Sequence, residues 1–148
     1  MLLALVAFVF MQFIRPDKNE SGYETVKVFE TETNVNGTLA TLLKTKCYDC
    51  HSNQTVYPWY AEIAPASYWL SDHINDGKKH FNVSVWSSYS AEKKDHKLDE
   101  FIEMIEEGEM PLDSYTWLHG DITNDEKEML INWAQIQRLR YQKEMSEL

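Results

Sequence analysis

The residues most able to do chemistry lie in one short run, Thr45 to Asn53, TKCYDCHSN. It contains both cysteines of the chain, Cys47 and Cys50, with His51 directly behind them. Three chemistries use that arrangement. A thioredoxin-like dithiol places a CxxC at the start of a helix that follows a strand, within a βαβ pattern. A zinc site needs two further ligands, and His73 and His80 are the nearest candidates, although six residues separate them where three to five are usual. A c-type haem attachment site has the signature C-x-x-C-H: two thiols bond one edge of the porphyrin and the adjacent imidazole becomes the proximal iron ligand. With both cysteines in one motif there is no disulfide framework to build.

Downstream, Met110-Pro111 follows an amphipathic stretch that stops at Gly108. A methionine in such a loop is a candidate distal iron ligand, its soft thioether favouring ferrous iron. The competing reading is a core methionine filling a gap. His119, nine residues later, is the alternative distal ligand, whereas His73, His80 and His96 read as surface or satisfied polar groups.

Helices must position these groups. Leu39, Leu42 and Leu43 make an apolar stripe leading into the CxxCH. Residues 66–77 and 97–107 have helical periodicity, and Gly108 suits the position just past a helix end. Thr123 and Glu126 form a capping box for a last helix with an expected buried stripe of Met129, Leu130, Trp133 and Ile136. Its RLRYQKEMSEL end is expected to project or fray. Residues 78–90 read as loop, and Tyr23–Thr31 as a short strand or extended arm. The expected class is all-α, a small cytochrome c-like domain over residues 37–148 packed around its cofactor. Residues 15–36 read as a linker, and 1–14 as an apolar anchor or signal-like segment. That apolar run, Leu2 to Ile14, is short of the roughly 20 residues that cross a bilayer. It is expected to be an uncleaved membrane anchor that begins upstream; the alternatives are a signal segment, which would leave a soluble periplasmic protein, and a buried helix.

A chain of 148 residues with 43% apolar and 26% charged residues is one ordinary domain. Its net charge of -10 argues against nucleic-acid binding, which needs a basic face, and permits docking to a basic partner. Four Asn-x-Ser/Thr triplets, at Asn19, Asn36, Asn53 and Asn82, read as chance occurrences.

Taken together, CYDCHSN, YPWY, IAP, MPLDSY with a following histidine, and ITNDE resemble the bacterial haem-binding domain family, small membrane-anchored proteins similar to c-type cytochromes. The resemblance runs from Arg15 to about Trp133. It implies one covalent haem c on Cys47 and Cys50, with His51 as proximal ligand, Met110 at the family's M-P position and His119 at its later histidine. Residues 87–97 are hydrophilic and depart from the family as an altered loop, and HGDIT stands where relatives have proline and alanine. Because bacterial c-type haem is attached outside the cytoplasmic membrane, the resemblance implies a haem domain facing the periplasm. The expected function is one-electron transfer to a redox partner, rather than catalysis. A haem-based sensor with a labile distal site and a peroxidase-type enzyme using His119 as base are the alternatives. Candidates to line the haem are Tyr57, Trp59, Tyr60, Trp69, Trp86 and Trp117, with Pro58, Pro65 and Pro111 shaping the loops around it.

Overall fold

A computed structural model describes residues 1–147. Among them the helices are α1 (Leu2–Met11), α2 (Glu24–Glu32), α3 (Gly37–Lys46), α4 (Tyr48–His51), α5 (Ala66–His80), α6 (Ala91–Glu107), α7 (Asp113–His119) and α8 (Asn124–Ser146), with 3-10 turns at Trp59–Glu62 and Val83–Ser88. The only β pairing among the described residues is an isolated bridge, Glu20 to Gln54. The class is all-α.

The expected strand or arm at Tyr23–Thr31 is instead the helix that builds the core. VKVF alternates like a strand, but the two buried residues of α2 are Val26 and Phe29, one helical turn apart. Phe29 is fully buried and is edged by four aromatic rings, Tyr48, Phe81, Trp86 and Trp133, at 5.1 to 6.5 Å between centroids. These are the offset geometries that aromatic quadrupoles favour.

α6 and α8 run antiparallel. Phe101 meets Trp133 edge-on at 5.8 Å, and Arg138 near the end of α8 pairs with Asp95 and Asp99 near the start of α6. Ser90 caps α6, its side chain accepting from the Lys93 N–H, and Gly108 ends the helix in the left-handed region, with φ 76°. α6 begins six residues before the expected position. Of the hydrophilic stretch read as an altered loop, residues 87–97, the part from 91 to 97 is its first two turns. Polar composition hid the helix because these turns are tied down by charge, Lys94 to Glu32 and Asp95 to Arg138, more than by apolar burial. Residues 78–90, expected as loop, are also ordered: α5 continues to His80, and the Val83–Ser88 turn buries Val83 and Trp86.

The capping box at Thr123 and Glu126 is present, as expected. The buried stripe is displaced: Leu130 and Trp133 are buried, but Ile136 is exposed and Ala134, Gln137 and Tyr141 take the inner face. Nor does the end of α8 fray at Tyr141. Its hydroxyl donates to Glu32 Oε1 at 2.7 Å and accepts from Trp86 Nε1 at 3.1 Å, while Lys94 Nζ reaches the same carboxylate oxygen at 2.7 Å.

The N-terminal part is pinned rather than tethered. Asn19 donates to Ser52 O and Thr55 Oγ1 and accepts from Lys78, and Arg15 and Lys18 both pair with Glu62. α1 is apolar and exposed from Leu2 to Phe10. Its ten residues extend about 15 Å, and among the described residues no helix is long and apolar enough to cross a membrane.

Gly77 lies inside α5, where glycine costs about 1 kcal/mol relative to alanine. The reason is proximity: a Cβ there would stand 2.8 Å from the Cys50 carbonyl oxygen. α5 therefore crosses α4 in direct backbone contact.

Two outcomes are expected. Gly77→Ala lowers the urea midpoint, because an overpacking cost of about 1–3 kcal/mol exceeds the propensity gain; an unobstructed helical glycine would give the opposite sign. Glu32 is the second case. Burial alone would raise its pKa, but the Lys94 ammonium and Tyr141 hydroxyl outweigh burial and hold the carboxyl below its usual range. Its stabilising contribution is thus complete above the unfolded-state value and is lost as pH falls through the folded one. Glu32→Gln should cost about 1–3 kcal/mol at neutral pH and lose less additional stability than the parent between about pH 5 and about pH 3, measured by denaturant titration at each pH.

Candidate functional site

α3 leads directly into α4 at Cys47, so the CxxCH run forms a single helical turn, with the Cys50 and His51 N–H groups both returning to Cys47 O. That turn puts both cysteines and His51 on the wall of one cavity of about 550 Å3. The volume lies inside the range of about 300–1,000 Å3 typical of cofactor and ligand sites.

The motif residues around the ligands brace this turn. The Asp49 carboxylate accepts from the Val56 N–H at 2.8 Å, and its backbone carbonyl accepts from the Thr55 hydroxyl at 2.6 Å. Fully buried Ser52 closes a small loop by accepting from the Gln54 N–H. Asn53 accepts from Asn82 Nδ2, and its N–H donates to Ser84 Oγ. Asn19, Asn53 and Asn82 are thus structural braces. CYDCHSN is therefore a folding unit as well as a chemical one.

His51 is held by the end of α5. Its Nδ1 lies 2.9 Å from Phe81 O and 3.1 Å from Gly77 O. A carbonyl can only accept, so Nδ1 carries the proton and the lone pair resides on Nε2. Burial pushes the imidazole pKa down, against the two carbonyls that push it up. The result is a neutral ring with a fixed tautomer, the arrangement that prepares a histidine to ligate a metal. Burial also raises both thiols, Cys47 to about 12 and Cys50 to about 11. Thiols that stay protonated at neutral pH are poor disulfide-exchange nucleophiles, and no parallel sheet frames them, so the dithiol reading fails. The zinc reading fails as well: no group of three or more His, Cys, Asp or Glu among the described residues could hold a metal ion.

Elsewhere the wall is mainly apolar, although charged side chains such as Lys46, Asp76 and Glu103 also line it. Phe81, Phe101, Ile105 and Leu130 come from α6, α8 and the end of α5, while Met104 and Met110 add two thioethers. Met110 is half-buried, placed by its N–H bond to Met104 O at 3.1 Å just past the Gly108 turn. Sequence reasoning missed Met104, which the 3.6-residue period of α6 sets one turn beyond Phe101 on the same inner face. His119 does not line the cavity. Tyr115 does, with the His119 ring stacked on it at 4.2 Å and His119 Nε2 3.2 Å from Tyr60 Oη.

The aromatics expected to line a cofactor are elsewhere. Trp86 belongs to the core beneath Phe29, and Trp59 and Trp117 face solvent at 77% and 84% exposure. The rings in the wall are Phe81, Phe101 and Tyr115, and of the three prolines only Pro111 reaches it. His73 and His80 also line the cavity, as do Lys97 and Glu100.

A large apolar cavity, a neutral imidazole with a free Nε2 lone pair and two adjacent thiols form a donor set that fits haem. No curated protein and no solved structure matched the chain. The haem-binding domain family matches residues 6–136, nearly the whole sequence. On that match, and with the site just described, the chain belongs to the haem-binding domain family and its cofactor is haem.

Proposed function

We propose that the domain carries one covalent haem c and works as a one-electron carrier. The observation that carries this reading is His51: its Nδ1 is tied to Phe81 O and Gly77 O, and both thiols share its wall. Bound there, haem would supply a reversible ferric/ferrous couple.

The chain's own residues have separable tasks. Cys47 and Cys50 would hold the group through thioether bonds, for which their protonated, unpaired state is suitable. His51 would ligate the iron through Nε2. Met110 is the second proposed ligand, whose soft thioether would favour ferrous iron and raise the potential. Phe81, Phe101, Ile105 and Leu130 exclude water from the centre. The two carbonyls hold the imidazole in one orientation and one tautomer, which would limit reorganisation at a bound haem. The acidic surface, with a net charge of -10, would steer a basic redox partner. α1 is the segment that would hold the domain to the cytoplasmic membrane, with the domain on the periplasmic side.

A peroxidase reading would need a base over an open distal site. His119 was the candidate, and its place behind Tyr115 counts against it. A sensor reading would need a labile sixth position, which depends on Met110.

Two experiments test the proposal. Intact-mass spectrometry of protein made with haem-maturation machinery should show one added haem, retained on denaturation. Cys47→Ala with Cys50→Ala should abolish it, and a colourless parent protein with free thiols overturns the reading. Secondly, the ferric spectrum should contain an iron–methionine charge-transfer band that disappears in Met110→Ala and persists in His119→Ala. Ready carbon monoxide binding by the ferrous parent would instead assign the domain to ligand sensing.

A further inference from the structure

The last turn of α1 is locked to the domain. Gln12 uses both ends of its amide on one residue: Oε1 accepts from Ala64 N at 2.9 Å, and Nε2 donates to Ala64 O at 3.2 Å. Ala64 is itself buried. Beside it the Tyr68 hydroxyl stands 2.8 Å from Met11 O and 2.7 Å from Ile14 O, donating to one of them at a time. The apolar helix therefore leaves the domain in a fixed direction.

Close in sequence to this joint lie exposed apolar and aromatic side chains. Ile63 adjoins Ala64 in sequence and is 41% exposed; Trp69 adjoins Tyr68 and is 43% exposed. Trp59, at 77%, opens the 3-10 turn that ends beside Ile63, about 10 Å away at most. Arg15 and Lys18 sit at the same collar on Glu62. Tryptophan rings flanked by basic residues are the side chains that settle at the level of lipid headgroups.

Building on the membrane reading above, we infer that the face bearing Trp59, Ile63 and Trp69 seats in the headgroup layer of a phospholipid bilayer beside α1, so that the domain lies on the membrane in one orientation. What selects lipid as the occupant is continuity. This patch joins a helix whose side chains are exposed from Leu2 to Phe10, and the Gln12 clamp removes the slack that would let the domain stand clear of any surface α1 enters.

The test is hydroxyl-radical footprinting of the full haem-loaded chain in phosphatidylcholine nanodiscs, one chain per disc, against the same chain lipid-free and dilute. Labelling of Trp59 and Trp69 should fall about fivefold in discs. Trp59→Ser, at an exposed position, should lower partition into phosphatidylcholine vesicles about tenfold. A chain that does not float with vesicles overturns the membrane reading and this inference together. A chain that floats while Trp59 and Trp69 label at lipid-free rates leaves the role of α1 standing and overturns the seated orientation. Protection seen only in discs holding two chains identifies a second copy as the occupant, and equally overturns it.

Discussion

The site depends on the crossing of two helices at a single glycine. α5 approaches α4 so closely that Gly77 leaves no room for a methyl group against Cys50 O. That contact lets the last turn of α5 present two carbonyls, from Gly77 and Phe81, to one ring nitrogen of His51. The contact fixes the tautomer of the imidazole and the direction of its free lone pair, while burial keeps the ring neutral. Move the helices apart by the width of a methyl group and the ring is free to rotate.

The cavity lies to one side of a complete core. Phe29, with its four aromatic neighbours, and the α6–α8 pair form a packed body that borders the cavity. Leu130, Ile105 and Phe101 belong to both, presenting one surface to the core and another to the cavity wall. A bound apolar plate would extend this core rather than create it. The partly buried polar relay of Trp86, Tyr141, Glu32 and Lys94 gives the same body directional bonds that apolar packing alone lacks.

Legibility followed the range of the interactions involved. Local signals were readable: the CxxCH run, the Thr123–Glu126 capping box, the Gly108 stop and the apolar stripe of α6. These depend on neighbours within a turn. Features set by distant partners were not. α2 was hidden because its Val26–Phe29 spacing is masked by VKVF alternation, and only the aromatic rings it meets decide the matter. The first turns of α6 were hidden by charges whose partners are on α2 and α8. The expected helix stopped at Gly77, whereas α5 continues to His80, and the oxygen that requires a glycine there is 27 residues away. At the site, the thiols and His51 were readable by type, but the cavity wall was not, because aromatic content does not say which rings face inward. Trp59, an obvious candidate, points to solvent, while Phe81 and Phe101 do the work.

The core is closed by bonds between the two ends of the chain. Trp133 donates to Thr33 O across 100 residues, and Tyr141 donates to Glu32 across 109. In a polypeptide that emerges amino end first, Cys47, Cys50 and His51 are out long before the final helix that seals the body. Until then Phe29 lacks one of its neighbours and α6 lacks its antiparallel mate, while the CxxCH turn already has its own braces in Thr55, Val56, Gly77 and Phe81. The molecule is thus fastened in sequence, the ligand-bearing turn by near neighbours and the core by the helix that arrives after them.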